Sequence, residues 1–175
     1  MAFKSKAPEM EDEVEPIVDV DDYVVSMDDI DAIDPLPKQS YIGEVLSHTY
    51  FVSEKGDPKI NIEYKIDTTE YPADYDAENA PEGTKLFSPY GGTVVDCGQG
   101  PQPSRRGLAR VKKLMQSHGY TGKLRFTRRD DLTGAWGLAD ECLAELVGSN
   151  VKLTLGHDSW QGELRATIKS IDPVD

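Results

Sequence analysis

Residues 40–67 read SYIGEVLSHTYFVSEKGDPKINIEYKID, and their pattern decides the fold class. In the second half, Ile60, Ile62, Tyr64 and Ile66 alternate with Lys59, Asn61, Glu63 and Lys65. That period of two puts the apolar side chains on one face of a half-buried strand. The first half has the same strand-like character, and the turn-forming SEKGDP joins the two, so the stretch predicts a β-hairpin. Tyr64 falls on the inward face and is expected in the core rather than against a ligand.

Working outward, residues 68–83 (TTEYPADYDAENAPEG) have no sustained period and read as a long surface loop before a short strand around 85–89. The Gly- and Pro-rich segment 90–103 leads into a helix over RRGLARVKKLMQSHG (105–119), with Ser104 as N-cap and Gly119 as C-terminal stop. KLRFTRR (123–129) predicts a strand with Leu124 and Phe126 inward, and LADECLAELVG (138–148) a second short helix. VKLTLGHDSWQGELRATIKSIDP (151–173) reads as a closing hairpin with its turn between Gly156 and Gly162. Six short strands that do not alternate regularly with helices make a mainly β (β+α) domain over residues 36–175. The expected form is an OB-like Greek-key barrel with one or two packing helices.

The charge is divided along the chain. The formal net charge is −13, yet residues 1–35 hold twelve Asp and Glu against Lys4 and Lys6. Such a segment cannot bury enough apolar surface to offset its ordering entropy, and a disordered acidic tail is expected there. Within it PIVDVDDYVVSMDDIDAI (16–33) mixes Ile, Val and Tyr with acids, the composition of a docking motif that orders on a partner. By contrast, residues 97–129 contain nine Lys and Arg and no acid. Arg105, Arg106, Arg110 and Lys113 lie on the helix, and Lys123, Arg125, Arg128 and Arg129 on the strand that follows. Cations along a phosphate track and aromatic faces for bases are what single-strand binding needs, and Tyr120, Trp136 and Trp160 are the candidate stacking residues. Each aromatic has a second reading as a core plug. The basic run likewise has a second reading, as a solvated face partly neutralised by carboxylates elsewhere in the fold.

Catalytic signatures are lacking: there is no GxSxG, Walker-type loop or HExxH, so no enzyme, cofactor or metal is expected. Asp130–Asp131 and Asp140–Glu141 are better explained by helix capping and dipole effects than by a metal. Cys97 and Cys142 belong to no CxxC and are expected reduced and buried. No apolar run reaches the length of a membrane span and the N-terminus lacks a signal-peptide core, so a soluble, cytoplasmic protein is expected.

Three stretches, YIGEVLSHTYFVSEKGDPKINIEYKI (41–66), RVKKLMQSHGY (110–120) and LAELVGSNVKLTLGHDSWQGELRATIKSIDP (143–173), together resemble phage-encoded single-stranded-DNA-binding-like proteins. The resemblance implies an OB-like fold, action in the cytoplasm of an infected bacterium, and single-stranded DNA as partner during replication or recombination. The chain departs from well-known members in carrying its acid at the N-terminal end, where it is a candidate for recruiting replication or recombination proteins. The alternative expectation is a non-enzymatic protein–protein adaptor or structural viral component acting through that acidic tail. Joining the two, a flexible tail at high effective concentration is expected to compete with DNA for the basic face.

Overall fold

Ile60, Ile62, Tyr64 and Ile66 have 0% of their surface exposed, and the strand that carries them is the centre of the domain. The computed structural model describes residues 22–88 and 92–174. The chain divides at Ile33 and Asp34. Of the expected tail, residues 1–21 lie outside the described residues; residues 22–33 are exposed and contain one 3-10 turn, Met27–Asp29.

From Asp34 onward the protein is mainly β, with eight strands in antiparallel sheets and two helices. β1 (Ser40–Val52) and β2 (Pro58–Ile66) form the expected hairpin, closed by Ser53–Asp57 with Gly56 at φ +87°. β1 pairs with β2 over Glu44–Val52 and with β7 (Asn150–Trp160) over Ser40–Glu44. A register shift between Val45 and Ser47 lies near the handover, as a bulge that bends a strand would. β3 (Thr84–Phe87) and β4 (Thr93–Val94) pair in turn along the other side of β2, and β8 (Glu163–Pro173) pairs with β7. The main path is therefore β3–β2–β1–β7–β8. β5 (Phe126–Arg128) and β6 (Trp136–Leu138) form a separate two-stranded ribbon.

Three sequence expectations are corrected. The strand predicted over 123–129 shrinks to Phe126–Arg128 and pairs only within the ribbon, because the backbone on either side is held by other contacts: Arg125 N–H reaches Cys142 Sγ and Arg129 N–H reaches Ala135 O. The turn of the last hairpin is not Gly156–Gly162. Gln161 (φ +50°) and Gly162 (φ +82°) supply the two positive-φ positions of a two-residue hairpin loop, so residues 156–160 stay in β7. Finally, the barrel is not closed. β3 and β8 run in the same direction on either side of a cleft of about 460 Å³ without hydrogen bonds between them. Their facing edges carry Lys85, Arg165 and Lys169, like charges of the kind that blunt edge strands against pairing.

The loop at 68–83 is more ordered than its composition suggests. Asp67 and Asp76 cap 3-10 turns at Thr68–Glu70 and Ala77–Asn79, and the Tyr71 hydroxyl donates to Ala80 O at 2.8 Å. Tyr71 and Tyr75 meet edge to face at 5.2 Å and pack on the core.

Helix α1 (Arg105–Ser117) is fixed at both ends. Near its start Gly107 lies directly on the backbone of residues 96–97, where a Cβ would sit 2.5 Å from Cys97 Cα and 2.6 Å from Asp96 O. At its end His118 is buried, with Nδ1 2.8 Å from Leu114 O and Nε2 2.7 Å from the Tyr64 hydroxyl. A carbonyl can only accept, so Nδ1 carries the proton and the Tyr64 hydroxyl donates to Nε2. The second helix, α2 (Asp140–Ala144), is a single short turn that buries Cys142 and Leu143.

Gly107→Ala is expected to destabilise the fold by roughly 1–3 kcal/mol through overpacking against backbone, while Gly100→Ala stays within about 0.5 kcal/mol; urea denaturation compares them. Burial holds the His118 pKa below its ordinary value of 6.5. The folded state therefore resists the proton that the unfolded chain accepts, and the stability His118 contributes is present above pH 6.5 and lost as pH falls through the lower folded value. His118→Gln is expected to cost stability near neutral pH, with the gap from wild type narrowing at about pH 5. A gap independent of pH contradicts this.

Candidate nucleic-acid interface

The surface follows from the way α1 docks. Ser104 Oγ accepts from Gly107 N–H at 3.0 Å, starting the helix, and Gly107, Val111 and Met115 form its buried stripe at intervals of four. The opposite side presents Arg105, Arg106, Arg110, Lys112 and Lys113 to solvent. No acid occurs in the first turn of the helix, where Arg105 and Arg106 stand instead. Cations at the positive end of the helix dipole work against helix stability, so these two arginines are not there for the helix. Among the described residues, none of these five cations, nor Lys123, forms an ion pair.

Arg110 and Lys113 line a trough of about 440 Å³ whose other walls are Thr93 and Val94 of β4 and Ser170 and Ile171 of β8. Four of the sequence-predicted cations, Arg105, Arg106, Arg110 and Lys113, are thereby gathered along one helix.

The remaining predicted cations divide differently. Lys123 is exposed beyond the helix, and its carbonyl accepts from the Tyr120 hydroxyl at 2.7 Å. Arg125 is exposed and paired in a fork with Glu141, Nε donating to Oε2 at 2.8 Å. Arg128 donates to the carbonyls of Gln99, Gly100 and Gly134, pinning the loop before α1 to the ribbon. The Arg129 side chain is only 13% exposed and reaches Asp131 at 2.9 Å, Asp140 at 2.8 Å and Leu138 O at 3.0 Å. Its guanidinium also lies 4.2 Å from the centre of the Tyr50 ring. The hydrogen bond to Asp131, with help from Asp140, raises the Arg129 pKa well above its ordinary value, while Arg129 in turn lowers that of the Asp131 carboxyl. Acids from 130–141 thus neutralise Arg125 and Arg129, which is the second reading of the basic run realised at these two positions.

The aromatics also separate. Trp136 Nε1 donates to Gly100 O at 2.9 Å, and Arg128 stands 4.8 Å over its ring, so the indole is tied on its edge and covered on one face. Tyr120 is half-buried and packs against the core. Trp160 lies at the end of β7, 52% exposed, with Arg165 at 4.7 Å over its ring. It is not on the ribbon or the helix.

Sequence reasoning passed over Lys85 and Phe87 on β3 and Arg165 and Lys169 on β8, which line the cleft between the two edges. The available signal was the period of two: Leu86 turns inward at 9% exposure, leaving Lys85 and Phe87 on the outer side. Cys97 and Cys142 are free and buried, and burial, aided by Asp96, pushes the Cys97 thiol up to about 11. The Cys97 thiol is therefore not poised as a nucleophile.

No protein-family model matches the chain and no curated protein matches it, so the surface is read from its own residues.

Arg129→Ala is expected to destabilise the domain by about 1–2 kcal/mol, between the worth of surface and buried pairs, because it removes the mostly buried guanidinium that bonds Leu138 O and covers the Tyr50 ring, while Asp131 and Asp140 stay solvated. Arg105→Ala and Arg106→Ala should each shift stability by less than about 0.5 kcal/mol. Thermal denaturation of the three variants separates cations that hold the fold from cations that face outward.

Proposed function

We propose that the domain binds single-stranded DNA without catalysing a reaction on it, as a component of phage replication or recombination. The observation that carries this reading is the row of cations on α1 that form no ion pair among the described residues, with Arg110 and Lys113 opening onto a trough bounded by two strands. A helix that concentrates positive charge on a strongly acidic chain, in positions that do not serve its own stability, is best explained by a polyanion as partner. The strand path supports the same reading. With β3 and β8 as neighbours across a gap, β3–β2–β1–β7–β8 is the order of a partly open five-stranded Greek-key barrel, a form that recurs in oligonucleotide binders. Trp136, Arg128 and Arg129 serve the ribbon in this account, and the phosphates are gripped by Arg105, Arg106, Arg110 and Lys113.

A second reading has its own observation. In residues 22–33, Tyr23, Val24, Met27, Ile30 and Ile33 are between 62% and 93% exposed among acids, the arrangement of a segment that docks on another protein as an adaptor. Loss of a co-purifying partner in a Tyr23→Ser, Ile30→Ser variant, with no oligonucleotide binding by either protein, favours it.

Labelled oligo(dT) is expected to bind with affinity falling steeply as salt rises, a log–log slope of roughly −3 for four neutralised phosphates on a single strand. Arg110→Glu with Lys113→Glu should weaken binding at least about tenfold and reduce the slope by about 1.4. Fluorescence anisotropy at several salt concentrations measures both, and no binding at low salt sinks the proposal.

A further inference from the structure

We infer that the open seam between β3 and β8 is the base-stacking part of the nucleic-acid site, with Phe87 and Trp160 as the stacking faces and Lys85 and Arg165 as flanking cations. This rests on the reading of α1 as a phosphate-gripping helix and extends it to a surface further along β8.

The two surfaces are continuous along one strand. Ser170 and Ile171 of β8 wall the trough beside Arg110 and Lys113, and Arg165–Lys169 of the same strand wall the seam. From Arg165 to Ile171 is about 20 Å at ~3.3 Å per residue, a length suited to the short end of known single-strand site sizes. A strand leaving the α1 trough along this edge enters the seam.

The seam has the chemistry that the helix surface lacks. Near α1 the aromatics are tied, Trp136 by its indole N–H and Tyr120 by its hydroxyl, so a base has little to stack on there. At the seam Phe87 is 55% exposed beside Lys85, and at the hairpin tip next to it Trp160 is 52% exposed with the seam residue Arg165 against its ring. One exposed aromatic needs no explanation, but Phe87 in the cationic cleft and Trp160 beyond its end, joined to it by Arg165, combine π-faces with phosphate partners. The acid lining the seam is Asp158, which is engaged by Lys169 at 3.0 Å. Lys169 reaches it by lying across Gly156, where a Cβ would come within 2.5 Å of Lys169 Cε. Lys85 and Arg165 form no ion pair among the described residues, so the cleft remains positive. The missing hydrogen bonds between β3 and β8 leave the space open.

The chain has two tryptophans, so Trp136→Phe leaves Trp160 as the reporter. Titrating oligo(dT) into this variant is expected to quench Trp160 emission with the same midpoint as the anisotropy change, and Trp160→Phe in the otherwise unchanged protein should abolish the binding-linked quenching. Phe87→Ala and Arg165→Ala should each weaken oligo(dT) binding by about tenfold without moving the thermal midpoint. On an abasic oligonucleotide the Phe87→Ala effect should vanish, which a loss of packing or charge would not produce. If the oligonucleotide binds by anisotropy while Trp160 is silent and both variants match wild type, the seam assignment is overturned and the α1 reading stands. If no oligonucleotide binds at low salt, both fall together. If poly-glutamate moves Trp160 emission and oligonucleotides do not, the seam is a peptide groove and the inference is overturned.

Discussion

The hydroxyl of Tyr64 meets His118 Nε2 at 2.7 Å in the interior, and through it the central strand holds the end of the basic helix. β2 supplies the inward face of Ile60, Ile62, Tyr64 and Ile66 to the core, and its two edges template β1 on one side and β3 and β4 on the other. With Gly107 seated on the backbone of residues 96–97, that bond leaves α1 one orientation. Val111 and Met115 then point inward, and the arginines and lysines have only solvent to face. The exposed charge is a consequence of how the strand and helix are locked together.

Net charge along a segment does not say what each cation does. Of the nine Lys and Arg between residues 97 and 129, Arg128 and Arg129 are built into the fold by carbonyls, carboxylates and aromatic rings, and Arg125 is matched by Glu141. Those on α1 have no such partners among the described residues. The difference lies in local geometry. A guanidinium on a short ribbon that folds back on its own loop finds acceptors, whereas one on the outer side of a docked helix does not.

The strands and the helix were legible because period two and period 3.6 are local properties. Ile60 to Ile66, and Val111 and Met115, stand where the pattern puts them, whereas Leu108, which the 3.6 period sets on the packing side with Val111, Leu114 and Met115, is 36% exposed and Gly107 is buried instead, because the helix docks on the backbone of residues 96–97. The open seam was not legible, since whether β3 and β8 pair depends on which edges meet after the 75 residues between them have folded, and only then do Lys85, Arg165 and Lys169 face one another. The pairing of Arg129 with Asp140 was equally out of reach. Asp140–Glu141 read as helix-start acids in the sequence, and their placement opposite two arginines depends on the ribbon turning through Thr133 and Gly134 at positive φ. Trp160 read as part of the turn of the closing hairpin and stands instead at the end of a strand, because β7 runs four residues past Gly156 before it turns.

A map of amide shifts on adding oligo(dT) to isotopically labelled protein tests the central claim most directly, because it reports where a strand lies without presuming which residues hold it. The account predicts shifts along α1, at Thr93–Val94, at Thr84–Phe87 and along β8 from Arg165 to Ile171, with the β5–β6 ribbon unmoved. Shifts concentrated at Arg125–Arg129 and Trp136, or none at all, contradict it.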